Sequence, residues 1–548
     1  CNLSLYMSNI ISKLNFILLQ SGKIHFWPSL AILTLTTVFF RNFLFTSQAP
    51  AGIDAKGFIS RPWYLLQNGE IWSLWHSQFS FGFIRLPTVD TALAILYSLV
   101  NDPVLGLKLF AIGAFILAAA SMYFVTLKYT GRKLSAAISA IVFSSNQFIF
   151  SYYTSGVYNV IAAYCISPII FYTFEKMIST KTWRSIAGFS ISFSILCMFT
   201  RVDMATFFAP FLFFLLVCNC LNTPKSQNKL ELLKSNFKVC LISGLMVIGL
   251  TSFMWLPMLM GARLPLPSSS GGFSNEDLYF RSLSLYETIL GHGRGLSYLA
   301  LNGDMWWNKH PFLSLFQYRL ASSLLPILAL IPILIKPNKK IVIYSLAILL
   351  SIFLAKGPNE PFGSLYIWAR NEIPFFGIYR IPNRWLLITY FFYSFLFGLG
   401  FQILWDKSHE SIKIIKNMRS VRIIMRSAIT VLLSVLLVAL LVPITPIVEK
   451  GFLTWDYPDS EKESYDIISQ DPQNFIVATV PFAQGNINTS VSNTFSGKGW
   501  WEHDLGSESS LFHNKPAIHQ TPAGGLSNSF VKFAKQVTYN PHEKSIMP

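Results

Sequence analysis

The strongest constraint on this chain comes from eleven apolar stretches that approach the length of a bilayer-spanning helix. Such a helix needs about 20 predominantly apolar residues. Only 13% of the 548 residues are charged, whereas soluble domains carry about 25%. We therefore predict an all-α polytopic transmembrane bundle of about 11 helices. The predicted spans cover residues 26–45, 104–127, 134–152, 156–175, 184–200, 204–220, 238–258, 320–336, 340–355, 385–405 and 427–447.

The positive charge of the chain follows the loops of this bundle. The net charge is +17, which by itself would also suit a nucleic-acid-binding protein. With the N-terminus inside, the inner loops hold 19 Lys and Arg against four acids, and the outer loops hold 13 against 11. Short loops rich in Lys and Arg stay on the cytoplasmic side. We therefore predict a multi-pass plasma-membrane protein with its N-terminus inside, its C-terminus outside and no nucleic-acid partner.

The loops and the C-terminal part divide the chain into three regions. Residues 1–25 form an amphipathic or inner segment, and residues 26–447 form the transmembrane part. Residues 448–548 are polar, with short β-like runs such as NFIVATVPF, so we predict a small extracytoplasmic α/β or β-rich domain. Whether residue 548 cuts this domain short is left open. Long loops often carry function, and the predicted outer ones cover residues 46–103, 259–319 and 356–384.

The first long outer loop contains two local helix signals. Residues 88–100 read TVDTALAILYSLV, which is apolar but too short to span, so we predict a helix that lies in the membrane interface. Asp102 and Pro103 come directly before the next apolar run. Because Asp caps helices and Pro is favoured in the first turn, this pair predicts the start of the second span.

Neither a disulfide framework nor a metal site is predicted. None of the six cysteines falls in the long polar loops, where disulfides of an exported domain would form. Cys218 and Cys220 have no histidine or second cysteine pair nearby to complete a zinc site. The spacings between His503, His513 and His519 match no tight ligand pattern.

Several short motifs give this sequence its resemblance to a known family. They are PAGIDAKGF at 50–58, LLQNGEIWSLW at 65–75, SFMWLPML at 252–259, Arg380-Ile-Pro-Asn-Arg384, and HNKPAIHQTPAGG at 513–525. In this order the motifs resemble the GT-C superfamily of polytopic glycosyltransferases. The chain looks most like the prokaryotic members that carry an R-x-P-x-R segment before a late span. The resemblance covers most of the chain, and the order of the motifs carries it, because each motif alone is degenerate.

The resemblance implies a reaction and roles for particular residues. These enzymes take a sugar from a polyprenyl- or dolichyl-phosphate carrier at the outer face, and the acceptor is a glycan, lipid or protein. We expect inversion, with Asp54 as the base that takes the acceptor's proton. Arg380 and Arg384, helped by Arg201 and Lys56, would bind the leaving phosphate, because arginine makes bidentate contacts with phosphate. The alternatives are a turn residue at Asp54 and, for Arg380 and Arg384, interfacial snorkelling or pairing with Glu372. For Arg201 the alternative is a local ion pair that orients its turn.

Four further residues are candidates for acceptor contacts or for support of the site: Asp203, Glu70, His76 and Asp304. Each has a plainer interpretation as well. Asp203 beside Arg201 would orient a tight turn, and His76 beside Trp75 would lie in the aromatic belt of the membrane interface. The resemblance requires no cofactor, and a divalent cation, Mg or Mn, remains open.

Two other functions stay open at this point. One is a transporter or flippase for a lipid-linked glycan, a class that favours inverted repeats and ionisable residues near the membrane midplane. The sequence has no convincing repeat, and apart from Lys108 its obvious charges lie at the outer boundary. The other is a scaffold that keeps the GT-C fold without catalysis, which a likeness of fold alone leaves open.

Overall fold

The computed structural model describes most of the transmembrane part of the chain and short pieces elsewhere. The described residues are 28–46, 48–50, 55–71, 75–76, 83–84, 89–200, 202–221, 229–253, 256, 278–279, 282–291, 316–373, 376–414, 427, 431, 434–445, 447–448, 454–455, 467, 470, 477–478 and 517–518.

The described part is mostly helical. In chain order the helices are α1 (Pro28–Phe39), α2 (Arg41–Leu44), α3 (Ala55–Gln67), α4 (Val89–Val100), α5 (Pro103–Thr130), α6 (Lys133–Ser144), α7 (Gln147–Ser155), α8 (Tyr158–Thr180), α9 (Trp183–Phe199), α10 (Val202–Leu221), α11 (Lys229–Leu250), α12 (Leu285–Ile289), α13 (Phe316–Ala329), α14 (Ile331–Ile335), α15 (Lys339–Ala355), α16 (Gly363–Glu372), α17 (Leu386–Ile414) and α18 (Ser434–Ile444).

Strands are few and short in the described part. They are β1 (Ala49–Pro50), β2 (Trp75–His76), β3 (Phe83–Ile84), β4 (Thr454–Trp455), β5 (Val477–Ala478) and β6 (Ala517–Ile518). β1 pairs antiparallel with β4, β2 antiparallel with β3, and β5 parallel with β6. The β1–β4 pair brings the chain after the last predicted span back beside the chain that follows the first one. The α/β or β-rich domain at 448–548 stays a prediction, because most of it lies outside the described residues.

Six of the eleven predicted spans coincide with helices that are long and apolar enough to cross a membrane. These six are Pro103–Thr130, Lys133–Ser155, Tyr158–Thr180, Leu230–Leu250, Phe316–Ile335 and Pro382–Lys407. The other five predicted runs coincide with helices that are not among these six, namely α1, α9, α10, α15 and α18. The structure therefore confirms a helical membrane protein, and the full count of eleven spans stays a prediction.

The local helix signals of the first outer loop have the predicted positions. α4 covers residues 89–100, as the apolar pattern indicates, and its inner face is buried. Asp102 caps α5, with its carboxylate accepting from the backbone N–H of Val104 at 2.8 Å and of Leu105 at 3.0 Å. Pro103 begins the helix, where a missing N–H costs nothing.

Small residues and aromatic rings pack the centre of the bundle. The rings of Phe143 and Tyr164 stack with centroids 4.1 Å apart, and those of Phe171 and Phe391 stack at 4.4 Å. Gly398 of α17 lies against α6, where an added Cβ would be 2.6 Å from the Ser135 carbonyl oxygen. Glycine here lets two backbones approach closely, as it does in many membrane bundles.

Because consecutive helices alternate in direction, their connections gather at two ends of the bundle. We call the end that carries residues 46–50, 101–102, 156–157, 282–291 and 356–385 the long-loop end. The opposite end, with residues 131–132, 181–182 and 336–338, is the short-loop end. An ion pair of Arg132 and Asp406, with 3.9 Å between Nη2 and Oδ2, joins the turn between α5 and α6 to α17 there. The predicted outer face corresponds to the long-loop end.

Candidate functional site

Arg380 and Arg384 lie at the long-loop end, on a short segment between α16 and α17. The segment consists of two 3-10 turns, Phe376–Tyr379 and Pro382–Trp385, with Arg380 between them. Arg384 is 6% exposed and Arg380 is half-buried. Because a guanidinium group keeps its charge at any ordinary pH, the segment holds fixed positive charge where α17 begins.

Aromatic residues fasten this segment to two neighbouring helices. Trp385 is buried, with its ring centroid 4.6 Å from that of Phe207 on α10 and 4.8 Å from that of Tyr379. The Tyr379 hydroxyl donates to the Thr206 carbonyl oxygen at 3.1 Å. Tyr366 of α16 donates to the Tyr379 carbonyl oxygen at 2.8 Å. The backbone on both sides of Arg380 is therefore held in place.

A third contact comes from α7. The Tyr152 hydroxyl donates to Oδ1 of Asn383 at 3.3 Å, and both residues are buried. Asn383 directly precedes Arg384. Contacts from α7, α10 and α16 therefore position the backbone from which the buried Arg384 side chain extends. Buried hydrogen bonds between side chains of different helices restrict motion most where every partner is itself packed.

A further buried cation, Lys356, lies next to this segment. Its ammonium group donates to the carbonyl oxygens of Asn359 at 2.6 Å and Gly357 at 3.4 Å, and it lies 4.8 Å from the centroid of the Phe353 ring. Burial lowers the pKa of the Lys356 ammonium, and the negative charge of Glu360 opposes that shift. The Lys356 side chain thus holds the turn that follows α15 against the C-terminal end of α15.

Gly357 shows how closely this turn approaches the arginine segment. Its φ is +60°, and an added Cβ would lie 2.6 Å from Oγ of Ser282 and 2.8 Å from Cγ of Pro382. Glycine adopts this backbone conformation without strain and leaves room for both neighbours. Lys356, Arg380 and Arg384 therefore belong to one assembly at the long-loop end.

The first outer loop enters the same end through α3. Asp54 lies outside the described residues, and α3 begins directly after it at Ala55. Lys56 is in the first turn of α3, and its side chain is outside the described part. The Phe58 ring packs edge-on against Tyr158 of α8 at 5.5 Å, and Tyr97 of α4 donates to the Phe58 carbonyl oxygen at 2.8 Å. The start of α3 is therefore fixed beside the start of α8.

Glu70 and Asp54 belong to opposite ends of α3. The helix has 13 residues, so its ends are about 20 Å apart, and the half-buried Glu70 follows its C-terminal end. His76 forms part of β2 opposite Phe83 of β3, and its side chain is outside the described part. The structure does not bring Glu70 to the predicted position of the base.

The remaining candidates lie only partly within the described chain. Arg201 and Asp304 are outside it. Asp203 belongs to the first turn of α10, although its side chain is not among the described ones. It comes three residues before Thr206, the partner of Tyr379, which is about 4.5 Å along the helix axis. The backbone of Asp203 is therefore close to the segment that carries the arginines.

Comparisons with known proteins agree on the fold. The structure is similar to the arabinofuranosyltransferase AftD from Mycobacteria (TM-score 0.53, 10% identity), matching 90% of this chain but only 32% of AftD. It is also similar to the Archaeoglobus fulgidus oligosaccharyltransferase (TM-score 0.53, 11% identity, 95% of this chain and 69% of that one). Both are GT-C membrane glycosyltransferases. The chain has the GT-C fold.

The other comparisons contribute less to the identification of the fold. A structure of the same archaeal enzyme tethered to an acceptor peptide matches with a TM-score of 0.51 and 10% identity, over 94% of this chain and 68% of that one. A family described as a 6-pyruvoyl-tetrahydropterin synthase related domain, membrane protein, matches residues 91–269, about a third of the chain. No curated protein matches by sequence. At these identities the solved structures establish the fold alone.

Within the GT-C fold, sequence reasoning missed Lys356 and the role of Lys108. Lys108 is buried in α5 and donates to the Thr46 carbonyl oxygen at 2.5 Å, which fastens the chain as it enters the first outer loop. A signal for Lys356 was present, namely a lysine directly after an apolar run and directly before Gly-Pro. The described residues contain no group of three or more His, Cys, Asp or Glu that could hold a metal ion.

Proposed function

We propose that the protein is a glycosyltransferase that moves a sugar from a polyprenyl- or dolichyl-phosphate carrier to an extracytoplasmic glycan, lipid or protein. The observation that carries this proposal is the buried Arg384, held with Arg380 on a braced segment of a GT-C fold. Negative charge builds on the phosphate as the sugar leaves it, and prepositioned cations stabilise that charge. Lys56 and Arg201 would add to the same site.

Asp54 is the proposed base of an inverting transfer. It directly precedes α3, where the positive end of the helix dipole favours an ionised carboxylate. The ionised form is the one that takes a proton from the acceptor hydroxyl. The packing of Phe58 on Tyr158 supports this role, because it anchors the helix turn that follows the carboxylate to the rigid bundle.

The acceptor is proposed to bind among the long loops and residues 448–548. Asp203 would support the phosphate side, while Glu70, His76 and Asp304 would contact the acceptor or hold the loops around it. The mechanism requires no cofactor. A divalent cation, Mg or Mn, would assist by neutralising phosphate charge if one bound. Since the archaeal relative was solved with a tethered acceptor peptide, peptides belong in the acceptor set.

The test is sugar transfer by the purified protein in detergent or nanodiscs. The donors are radiolabelled polyprenyl-phosphate sugars, and the acceptors are membrane lipids, glycan extracts and peptides. Wild type is compared with Asp54→Asn, Arg384→Met and the control Asp102→Asn. The control makes the same chemical change at the same end, and Asn caps a helix as well as Asp does. We expect transfer by wild type and the control, and a loss of about 100-fold or more in the other two.

Other outcomes point to other functions. Equal transfer by wild type and Asp54→Asn would remove Asp54 as the base. A protein that transfers no sugar yet moves a lipid-linked glycan across proteoliposomes would be a transporter or flippase. Binding of a polyprenyl phosphate without transfer or transport would indicate a scaffold with the GT-C fold.

A further inference from the structure

Helix α16 is tied at both of its ends to helices that leave the membrane at the long-loop end. Its first residue, Gly363, lies against the backbone of Pro358, three residues beyond the end of α15. Past its last residue, Tyr379 is hydrogen-bonded to Thr206, just over one turn into α10. One helical turn rises about 5.4 Å. Both attachment points are therefore within about one turn of the end of a bundle helix. They place α16 at the level where these helices end.

The two faces of α16 differ in burial. Gly363, Tyr366 and Ala369 are buried against the protein. On the outer side, Leu365 is 51% exposed and Trp368 is 54% exposed. Phe362, the residue before the helix, is 68% exposed as well. Large apolar side chains at this exposure are costly in water, and three of them together need a partner surface.

We infer that α16 is an interfacial helix, with Phe362, Leu365 and Trp368 inserted among the acyl chains of the leaflet at the long-loop end. Tryptophan is enriched at the membrane–water boundary, because its ring is apolar and its N–H is polar. A short helix with an exposed apolar side lies in the plane of that boundary. Glu372, exposed in the last turn of the same side, would place its carboxylate among the headgroups. Ser364 and Asn371 are exposed on the adjoining side of α16, where headgroups and water would meet them.

The exposed residues of α15 indicate that lipid covers the exposed apolar residues of α16. Val342, Leu346 and Leu349 are 38%, 46% and 62% exposed and form one stripe along that helix at intervals of four and three residues. On a helix that crosses the membrane, as α15 is predicted to do, such a stripe faces lipid tails. The exposed apolar residues of α16 begin seven residues after α15 ends, at the same end of the bundle. Exposed apolar residues therefore follow one another along the chain from α15, a predicted span, to α16 at the same end of the bundle.

This arrangement would also set the depth of the arginine segment. Tyr366, on the buried face of α16, donates to the carbonyl oxygen of Tyr379, the residue directly before Arg380. Its ring packs edge-on against Phe376 at 5.2 Å. A helix anchored among acyl chains would hold Arg380 at the level of lipid phosphates. The depth of α16 does not depend on any transfer activity, so it is tested separately from the proposed function.

The test measures the depth of nitroxide labels on the protein in liposomes. Labels are placed by Leu365→Cys and Trp368→Cys, with Asn371→Cys as the matched control on the same helix. Wild type, whose described cysteines are buried or half-buried, is treated in parallel to give the background. Accessibility to oxygen, which concentrates in the bilayer, is compared with accessibility to a water-soluble nickel complex. We expect the ratio of oxygen to nickel accessibility to be several times higher at positions 365 and 368 than at 371.

Two results would overturn the inference. If positions 365 and 368 are as accessible to nickel as position 371, this side of α16 faces water. If both positions are shielded from oxygen and nickel alike, protein covers them, either residues 448–548 or a partner chain. Thermal unfolding in detergent identifies any variant that has lost the fold. In that case Phe362→Cys, which lies outside the helix, replaces the failed site.

Discussion

Lys356 ends α15 inside the protein, and its ammonium group is the donor for the carbonyl oxygens of Gly357 and Asn359. In Lys356→Met a side chain of similar length keeps the apolar contacts, and the two oxygens lose their donor. We expect a loss of about 1–3 kcal/mol in the free energy of unfolding, measured by denaturation in detergent. Lys356→Arg, which keeps a donor, should lose less. An unchanged stability in Lys356→Met would show that the ammonium group does not hold this turn.

The free energy of unfolding should also depend on pH because of Lys356. Burial lowers the pKa of Lys356 in the folded state, so the unfolded chain binds its proton more tightly. Stability therefore rises with pH between the lowered pKa and the unfolded value of about 10.4. The unfolding temperature of wild type relative to Lys356→Met should increase over that alkaline range. A difference that stays flat or falls would contradict the lowered pKa.

Gly357 and Gly69 give a matched pair for the close approach to Pro382. Both have positive φ, +60° and +68°, but an added Cβ meets Ser282 and Pro382 at Gly357 and nothing within 4 Å at Gly69. Gly69→Ala should cost about 1 kcal/mol from backbone strain alone. Gly357→Ala should cost about 3 kcal/mol, because crowding is added to the strain. Equal unfolding temperatures of the two variants would show that the turn is not packed on the arginine segment.

At the scale of elements, the sequence predicts helix positions well because lipid requires long apolar runs with their backbone hydrogen bonds satisfied internally. It does not predict where a run breaks. The apolar run 134–152 is divided into α6 and α7, because the Asn146 side chain accepts from the N–H of Ile149 at 3.1 Å and starts a new helix. Arg384 is marked by its motif, whereas for Lys356 the sequence shows only a position between an apolar run and Gly-Pro. Its hydrogen bond to the Asn359 carbonyl oxygen requires the folded turn.

Glu175 joins three helices at the short-loop end. Its carboxylate accepts from the hydroxyl of Tyr129 on α5 and from that of Tyr344 on α15 at 2.6 Å, and Nζ of Lys340 lies 3.7 Å away. Glu175→Gln should lower the free energy of unfolding by about 1–3 kcal/mol, because hydrogen bonds to a charged group are the stronger ones. The control is Glu231→Gln, an exposed acid whose partner Lys234 is also exposed, which should change stability very little.

A double-mutant cycle decides whether Glu175 acts as the link. Tyr129→Phe and Tyr344→Phe each remove one donor, and each should show a coupling of about 0.5–3 kcal/mol with Glu175→Gln. Strict additivity would mean that the two tyrosines stabilise α5 and α15 independently of the carboxylate. Such a link would oppose the opening of this end that alternating access in a transporter requires.

At the scale of the whole molecule, the two ends differ in both loop length and charge. The long-loop end holds the arginine segment, α16 and the β1–β4 pair. The described connections at the short-loop end, 131–132, 181–182 and 336–338, are short, and each contains a Lys or Arg. Charge near a membrane biases orientation toward a cytoplasmic short-loop end. A donor phosphate site at the other end would then face outward, together with the chain around Thr454.

This orientation can be measured with a membrane-impermeant maleimide on intact cells. Glu360→Cys puts a thiol on an exposed position of the long-loop end, and Lys234→Cys puts one near the short-loop end, where the native side chain is 65% exposed. We expect labelling of position 360 in intact cells and of position 234 only after permeabilisation, with wild type as the blank. The opposite pattern would place Arg380 and Arg384 in the cytoplasmic leaflet. An acceptor outside the cell would then be ruled out.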